Sequence, residues 1–303
     1  MLRNRRKLSF TLKGRSATLT RSRLRSDRFE LSVDGIAQSI VSLADPTKLA
    51  YPYTRHIARA IDAAAPAASR LFTVHLGAGA LTLARYVEAT RAGSPQLVVE
   101  FEPELYTEML EALPLPQGSD VRVIFGDARD VADAALASGS SQSATAASPA
   151  PAVRTAVAAE WVDAQFTIVD LWDAAVIHQR VASREFFVRV AARSSDDGVV
   201  VVNLLDGHPF EYARRQAATL SAVFAHVAVV LDADPLDPDG PLGNVLIFAS
   251  DAPLDIVANP AVLGVPAPNL LNGGELASWV GEARIMTDSD GTDSPDPNDP
   301  RWG

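Results

Sequence analysis

The chain has 303 residues, is 48% hydrophobic and 21% charged, carries a net charge of −10 and contains no cysteine. That length suits one large domain plus a smaller one, and the absence of cysteine excludes disulfides, thiolate metal sites and cysteine nucleophiles. An acidic body lacks the positive face that phosphate binding needs, and no segment approaches the run of about 18 apolar residues of a membrane span, so neither nucleic acid nor membrane is an expected partner. The cytoplasm is the expected location.

Charge is unevenly spread. Residues 1–28 hold ten Lys/Arg against one acid, Asp27, leaving −19 on the rest. No apolar stretch follows Arg6 and Lys7, so this start is no secretory signal and reads as a solvated extension or an exposed first hairpin. Residues 17–43 alternate as strands do, with Asp34-Gly35 as a hairpin turn. Asp45-Pro46 opens a new segment, and Tyr53 to Ala64 has helical spacing. From about residue 66 the pattern becomes strand, helix, strand, helix. Strands are predicted at 71–76, 96–101, 121–125, 165–170, 198–204, 225–231 and 244–249, and helices at 80–91, 103–112, 182–193 and 210–223. Several of the strands are continuous apolar runs of the kind buried on both faces of a parallel sheet.

The expected organisation is a small β-rich N-terminal domain (1–65), a nucleoside-binding catalytic domain (66–255) and a C-terminal extension (256–303). Residues 132–158 are Ala/Ser-rich and read as a flexible insertion, and the acidic, proline-bearing tail from about 286 reads as disordered.

The most informative stretch is Thr73-Val74-His75-Leu76-Gly77-Ala78-Gly79-Ala80, with Glu100 closing the next apolar run 21 residues after Gly79. Glycine permits φ > 0 and lets backbone N–H groups of Gly77, Ala78 and Gly79 approach a ligand, while a carboxylate at the next strand end can accept both hydroxyls of a ribose. Thr82 stands where a dinucleotide fingerprint wants a third glycine, so NAD falls behind other nucleosides. At the third strand end, Asp127 can accept from an adenine amino group with Ala128 flanking the ring, and it can equally cap the following helix. The fourth strand ends in Asp170-Leu171-Trp172-Asp173. In an open parallel sheet those two acids face the crevice and suit an amine: one takes the proton of the attacking nitrogen and the other anchors a distant ammonium. Asp170 as a helix cap and Asp173 as a solvated side chain is the alternative. His75 reads as a packed core histidine. The remaining histidines show no metal spacing, so no metal is expected.

Together these pieces resemble the spermidine synthase (polyamine aminopropyltransferase) family, which shares the class I methyltransferase fold. The likeness runs from about Phe29 to Ser250. Asp34-Gly35-Ile36-Ala37-Gln38 looks like the family's N-terminal hairpin signature, and Pro52-Tyr53-Thr54-Arg55-His56 like its helix with a substrate-side tyrosine. Gly77-Ala78-Gly79 occupies the glycine loop, Glu100 the ribose acid, Asp127-Ala128 the adenine side, and Asp170 with Asp173 the D-x-x-D pair. Pro241-Leu242-Gly243-Asn244 resembles the late P-x-G-Q segment. The resemblance implies a Rossmann-like, doubly wound, mostly parallel sheet with a small N-terminal β-rich domain. It implies aminopropyl transfer from decarboxylated S-adenosylmethionine to a diamine such as putrescine, with no tightly bound cofactor. In that reading Asp170 is the base, Asp173 grips the far ammonium, and Tyr53 and Gln38 line the diamine side. A homodimer is likewise implied. Four features depart from the family: Ala80 replaces the acid that holds the donor's ammonium, Thr54 replaces a glutamine, Ala174 replaces a proline, and the tyrosine usual before the late P-x-G is missing. Ala80 keeps open an S-adenosylmethionine-dependent methyltransferase, and a nucleoside-binding module without turnover also stays open.

Overall fold

A computed structural model describes residues 7–12, 14–22, 27–134, 153–173, 176–231 and 242–296. The basic start contributes a hairpin: β1 (Lys7–Leu12) and β2 (Arg15–Arg21) pair antiparallel, and β3 (Arg28–Val33) and β4 (Ile36–Ser42) complete a four-stranded meander. The turn between β3 and β4 is Asp34-Gly35, with φ of 50° and 84°, the left-handed pair that a two-residue hairpin loop with the right twist requires. One face of this sheet is apolar, and Leu19, Phe29, Leu31 and Val41 bury themselves against Ala80, Met109 and Leu113 of the larger body.

After α1 (Pro52–Ala63), the chain runs through β5 (Thr73–Leu76), α2 (Thr82–Thr90), β6 (Gln96–Glu100), α3 (Pro103–Ala112), β7 (Val121–Phe125), α4 (Ala128–Asp133) and β8 (Val153–Thr155). It returns through β9 (Ala164–Val169), α5 (Arg184–Ala191), β10 (Ser194–Asp206), α6 (Glu211–Ser221), β11 (His226–Leu231) and β12 (Gly243–Ser250). It finishes with α7 (Asp255–Ala258), β13 (Asn269–Asn272) and α8 (Gly273–Val280). The nine strands form one sheet in the order β13-β11-β12-β10-β9-β5-β6-β7-β8. Strands β10 to β8 in that order are parallel, while β12, β11 and β13 pair antiparallel at the other edge. The parallel crossovers expected from the alternating pattern, and the doubly wound, mostly parallel sheet that the resemblance implied, are present. Runs such as Val200-Val201-Val202 are buried because helices cover both faces.

Three details depart from the sequence reading. Helix α1, assigned to the small N-terminal domain, presents Ile57 and Ile61 to Phe166, Ile168 and Phe248, so it belongs to the large sheet's helical layer. Its amphipathic stripe marks a buried face without saying which sheet buries it. The extension after 255 supplies β13, the ninth strand of the sheet, hydrogen-bonded to β11. Residues 286–296, expected to be disordered, are anchored on the body at the buried Met286 and Ser294, with most of the side chains between them exposed. Met286 is fully buried, Asp288 accepts from Arg129 Nη1 and Nη2 at 2.8 and 2.7 Å, and Ser294 exchanges hydrogen bonds with the Ile177 backbone. A single apolar anchor and specific acid–arginine pairs hold what average composition marks as solvated. Of the Ala/Ser-rich stretch 132–158, residues 135–152 lie outside the described residues, and 153–155 form β8.

Candidate active site

The sheet reverses its winding between β5 and β9, where the chain runs outward through β6, β7 and β8 and then comes back to the other side of β5. At such a switch point the loops leaving neighbouring strands part and open a crevice above the carboxyl ends. A cavity of ≈ 600 Å³ lies here, roofed by Leu12, Leu31, Val33 and Ile36 of the N-terminal sheet. All ten residues singled out from the sequence line it: Gln38, Tyr53, Gly77, Ala78, Gly79, Glu100, Asp127, Ala128, Asp170 and Asp173.

The glycine loop is shaped by close approach. Gly77 has φ +91°, and a Cβ there would stand 2.3 Å from the Asp170 carbonyl oxygen. Gly79 has φ +49°, and its Cβ would meet Ser39 Oγ at 2.7 Å. The loop is thus pressed between β9's exit and β4, with Ala80 N–H donating to Ser39 Oγ at 3.3 Å. Ala80 itself is fully buried in the apolar contact with Leu31, Val41 and Met109.

Glu100 is buried at the end of β6. One oxygen accepts the Ala78 N–H at 2.9 Å and the other the Glu102 N–H at 2.8 Å. Burial raises its pKa above the usual carboxylate value, and these two backbone donors oppose that rise. Asp127 caps α4 through Oδ1, which accepts from Arg129 N–H at 2.8 Å, while Oδ2 lies 2.9 Å from Arg180. The capping role open from the sequence is therefore occupied, and the same residue still borders the cavity.

Asp170 Oδ1 accepts from Trp172 Nε1 at 2.6 Å and from Asn203 Nδ2 at 2.9 Å. Asn244 Nδ2 donates in turn to Asn203 Oδ1 at 3.0 Å, so a short polar relay from β12 through β10 orients the carboxyl group. Burial raises the Asp170 pKa, moderated by these two donors. Tyr53 stacks on Tyr51 at 5.8 Å, and burial together with the nearby Asp170 charge keeps its phenol well above its ordinary range and neutral. His75 is buried with Nε2 2.9 Å from Gln96 Oε1, and desolvation lowers its pKa to about 4, so the imidazole is uncharged at neutral pH.

Asp173 is half exposed and already partnered. Its Oδ1 accepts from Arg15 Nη1 at 2.9 Å, and its Oδ2 lies 3.3 Å from His178 Nε2. Arg15 Nη2 also donates to Glu102 Oε1 at 2.6 Å. Sequence reading missed Arg15, Glu102, Trp172, His178 and Asn203 as site residues. Asn203 carried a signal, a lone amide inside the run Val199-Val200-Val201-Val202-Asn203-Leu204. Arg15 carried none, being one of ten basic residues in a row of similar ones. Among the described residues no group of three or more His, Cys, Asp or Glu could hold a metal ion, and no helix is long and apolar enough to cross a membrane.

No family model matches the chain, and no curated protein matches it. Solved structures do. A probable spermidine synthase from Corynebacterium glutamicum superposes with a TM-score of 0.75 at 24% identity, covering 93% of this chain and 96% of that one. A spermidine synthase in complex with the transition state analogue AdoDATO has a TM-score of 0.56 at 12% identity, over 93% of this chain and 81% of its own. Human methyltransferase-like protein 13 in complex with SAH has a TM-score of 0.52 at 15% identity, over 79% and 97%. The four-stranded N-terminal sheet, the nine-stranded sheet and these superpositions together give the chain a spermidine synthase-like class I methyltransferase fold.

Proposed function

We propose that the protein is a transferase that binds a sulfonium nucleoside in the crevice of Gly77, Glu100 and Asp127 and passes an aminopropyl group from decarboxylated S-adenosylmethionine to a diamine such as putrescine. The observation that carries this reading is the convergence on one cavity of a tight glycine loop, a buried acid at the next strand end and a buried, oriented Asp170. The similar structures, one bound to AdoDATO and one to SAH, support a donor of this type.

In this reading the amine nitrogen attacks the methylene beside the sulfonium. The N–C bond forms as the C–S bond breaks, its electron pair stays on sulfur, and methylthioadenosine leaves. The amine must be neutral to attack, although a free alkylamine has a pKa of about 10, so it has to lose a proton in the site. Asp170 takes that proton. Both of its described bonds fall on Oδ1, and its burial-raised pKa makes it a better base than a solvated carboxylate. A general base of this kind is worth about 10²–10⁴ in rate, and alignment of the two reactants contributes several kcal/mol more. Gln38 and the neutral Tyr53 line the acceptor side. Asp173 contributes negative charge at the mouth that it shares with Arg15. A cytoplasmic, homodimeric enzyme of polyamine biosynthesis goes with this proposal.

A second reading, methyl transfer from S-adenosylmethionine, is favoured by one observation: position 80 is a fully buried alanine, so no acid there meets a donor's ammonium. Calorimetry with decarboxylated S-adenosylmethionine, S-adenosylmethionine and methylthioadenosine separates the readings. Preference for the decarboxylated donor, followed by label transfer to a diamine, supports the first; preference for the carboxylated donor supports the second. Binding of none of the three overturns both.

A further inference from the structure

Two carboxylates at the cavity, Glu102 and Asp173, share one guanidinium. Arg15 spends Nη2 on Glu102 at 2.6 Å and Nη1 on Asp173 at 2.9 Å, so this triad keeps one uncompensated negative charge. His178 beside Asp173 does not balance it alone, because it also faces Asp293 at 3.3 Å. Arg180, the next cation on the cavity wall, is committed to Asp127 and Asp130 at 2.9 and 2.7 Å. Glu100, a further acid, lies close enough for Glu102 to raise its pKa.

Within this group Glu102 stands out. It lines the cavity at the N-cap of α3, two residues after β6, its side chain is only 3% exposed, and its Oε2 has no hydrogen-bond partner among the described residues. A buried carboxylate oxygen without a donor carries a desolvation cost that a ligand N–H group would relieve. Both the missing donor and the missing positive charge call for the same thing, a cation with N–H groups. Arg15 bridges the loops that leave β6 and β9, so the excess negative charge sits across the loop that leaves β5 between them.

We infer that Glu102 holds an alkylammonium group of the bound ligand, completing with Arg15 and Asp173 a balanced set of charges over the Gly77–Gly79 loop. This rests on the nucleoside-site reading above and names a residue that reading does not use. The ammonium comes either from the tail of the sulfonium donor or from the far end of the amine acceptor.

The test is calorimetry on the full chain and on Glu102→Gln, which is isosteric and removes the charge. Three ligands are titrated: methylthioadenosine, which has no ammonium; decarboxylated S-adenosylmethionine; and putrescine in the presence of methylthioadenosine. Retained methylthioadenosine affinity certifies that the variant is folded. Loss of roughly tenfold in the decarboxylated donor alone, the worth of a charge-assisted hydrogen bond, assigns the ammonium to the donor. The same loss for putrescine alone assigns it to the acceptor. Glu102→Asp should recover part of either loss. Equal weakening of all three ligands, or unchanged affinities for all three, overturns the inference and leaves the nucleoside reading standing. Failure of methylthioadenosine to bind the wild-type chain overturns both.

Discussion

Asn203 Nδ2 donates to Asp170 Oδ1 at 2.9 Å across the pair of β9 and β10, and Asn203 is itself held by Asn244 from β12. The amide therefore fixes the carboxyl group's orientation and lowers its pKa against the raising effect of burial. Asp170→Asn removes the base while keeping the shape, and turnover should fall by at least about tenfold with methylthioadenosine affinity unchanged. Asn203→Ala leaves the base but withdraws a donor, so the Asp170 pKa rises further. The acid limb of the kcat/KM profile should then move to higher pH, which a rate measurement between pH 5 and 9 checks, these limits being roughly those of side-chain titration near neutrality. An unmoved limb would remove Asp170 from the role of base.

Gly77 and Gly35 separate close approach from backbone strain. Both have positive φ, but a Cβ on Gly35 meets nothing within 4 Å, whereas on Gly77 it meets backbone oxygen at 2.3 Å. Gly35→Ala should cost about 1–2 kcal/mol in urea unfolding and leave methylthioadenosine binding intact. Gly77→Ala has to push β9's exit away from the loop and should weaken methylthioadenosine by more than about tenfold.

Asp206, at the end of β10, is buried and accepts the N–H groups of Gly207 and Ala213 at 2.9 and 2.8 Å, which anchors the start of α6. Burial nevertheless raises its pKa to about 6. Because the folded value lies above the unfolded one, the protonated form is favoured in the native state. The stability it contributes is full below about pH 4 and is lost as pH rises through about 6, an effect on the order of 2–3 kcal/mol. Asp206→Asn cannot titrate. The melting temperature of the wild type minus that of the variant should therefore fall between pH 4 and 7, scanned by calorimetry; a difference that rises over that window contradicts the assignment.

The segment after α8 should contribute through its buried anchor more than through its charges. Met286 is fully enclosed, and Met286→Ala should lower unfolding free energy by about 2–5 kcal/mol. Asp288 pairs with Arg129 but is 44% exposed, and Asp288→Ala should cost about 1 kcal/mol or less. Urea titration of both variants orders them, and a larger loss for Asp288→Ala would show that the ion pair, not the apolar anchor, fastens the segment.

What the chain determines by itself is local. The alternation of residues 17–43, the Asp34-Gly35 turn, the apolar runs ending at Leu76, Glu100, Phe125 and Val169, and the helix at 103–112 follow from periodicity and turn chemistry, which need no knowledge of the rest of the molecule. The place of Gly77, Glu100, Asp127 and Asp170 at one sheet edge also follows, since parallel crossovers put all their exits on one side. Tertiary structure decides what touches those residues. It buries α1 on the large sheet, binds 286–296 through Met286, turns Arg15 onto Glu102 and Asp173, and sets Asn203 beside Asp170. Those contacts join residues far apart along the chain, Arg15 and Asp173 by 158 positions, and no pattern along a single chain encodes which distant side chain completes a charge or a hydrogen bond. Only the packed arrangement of both sheets does.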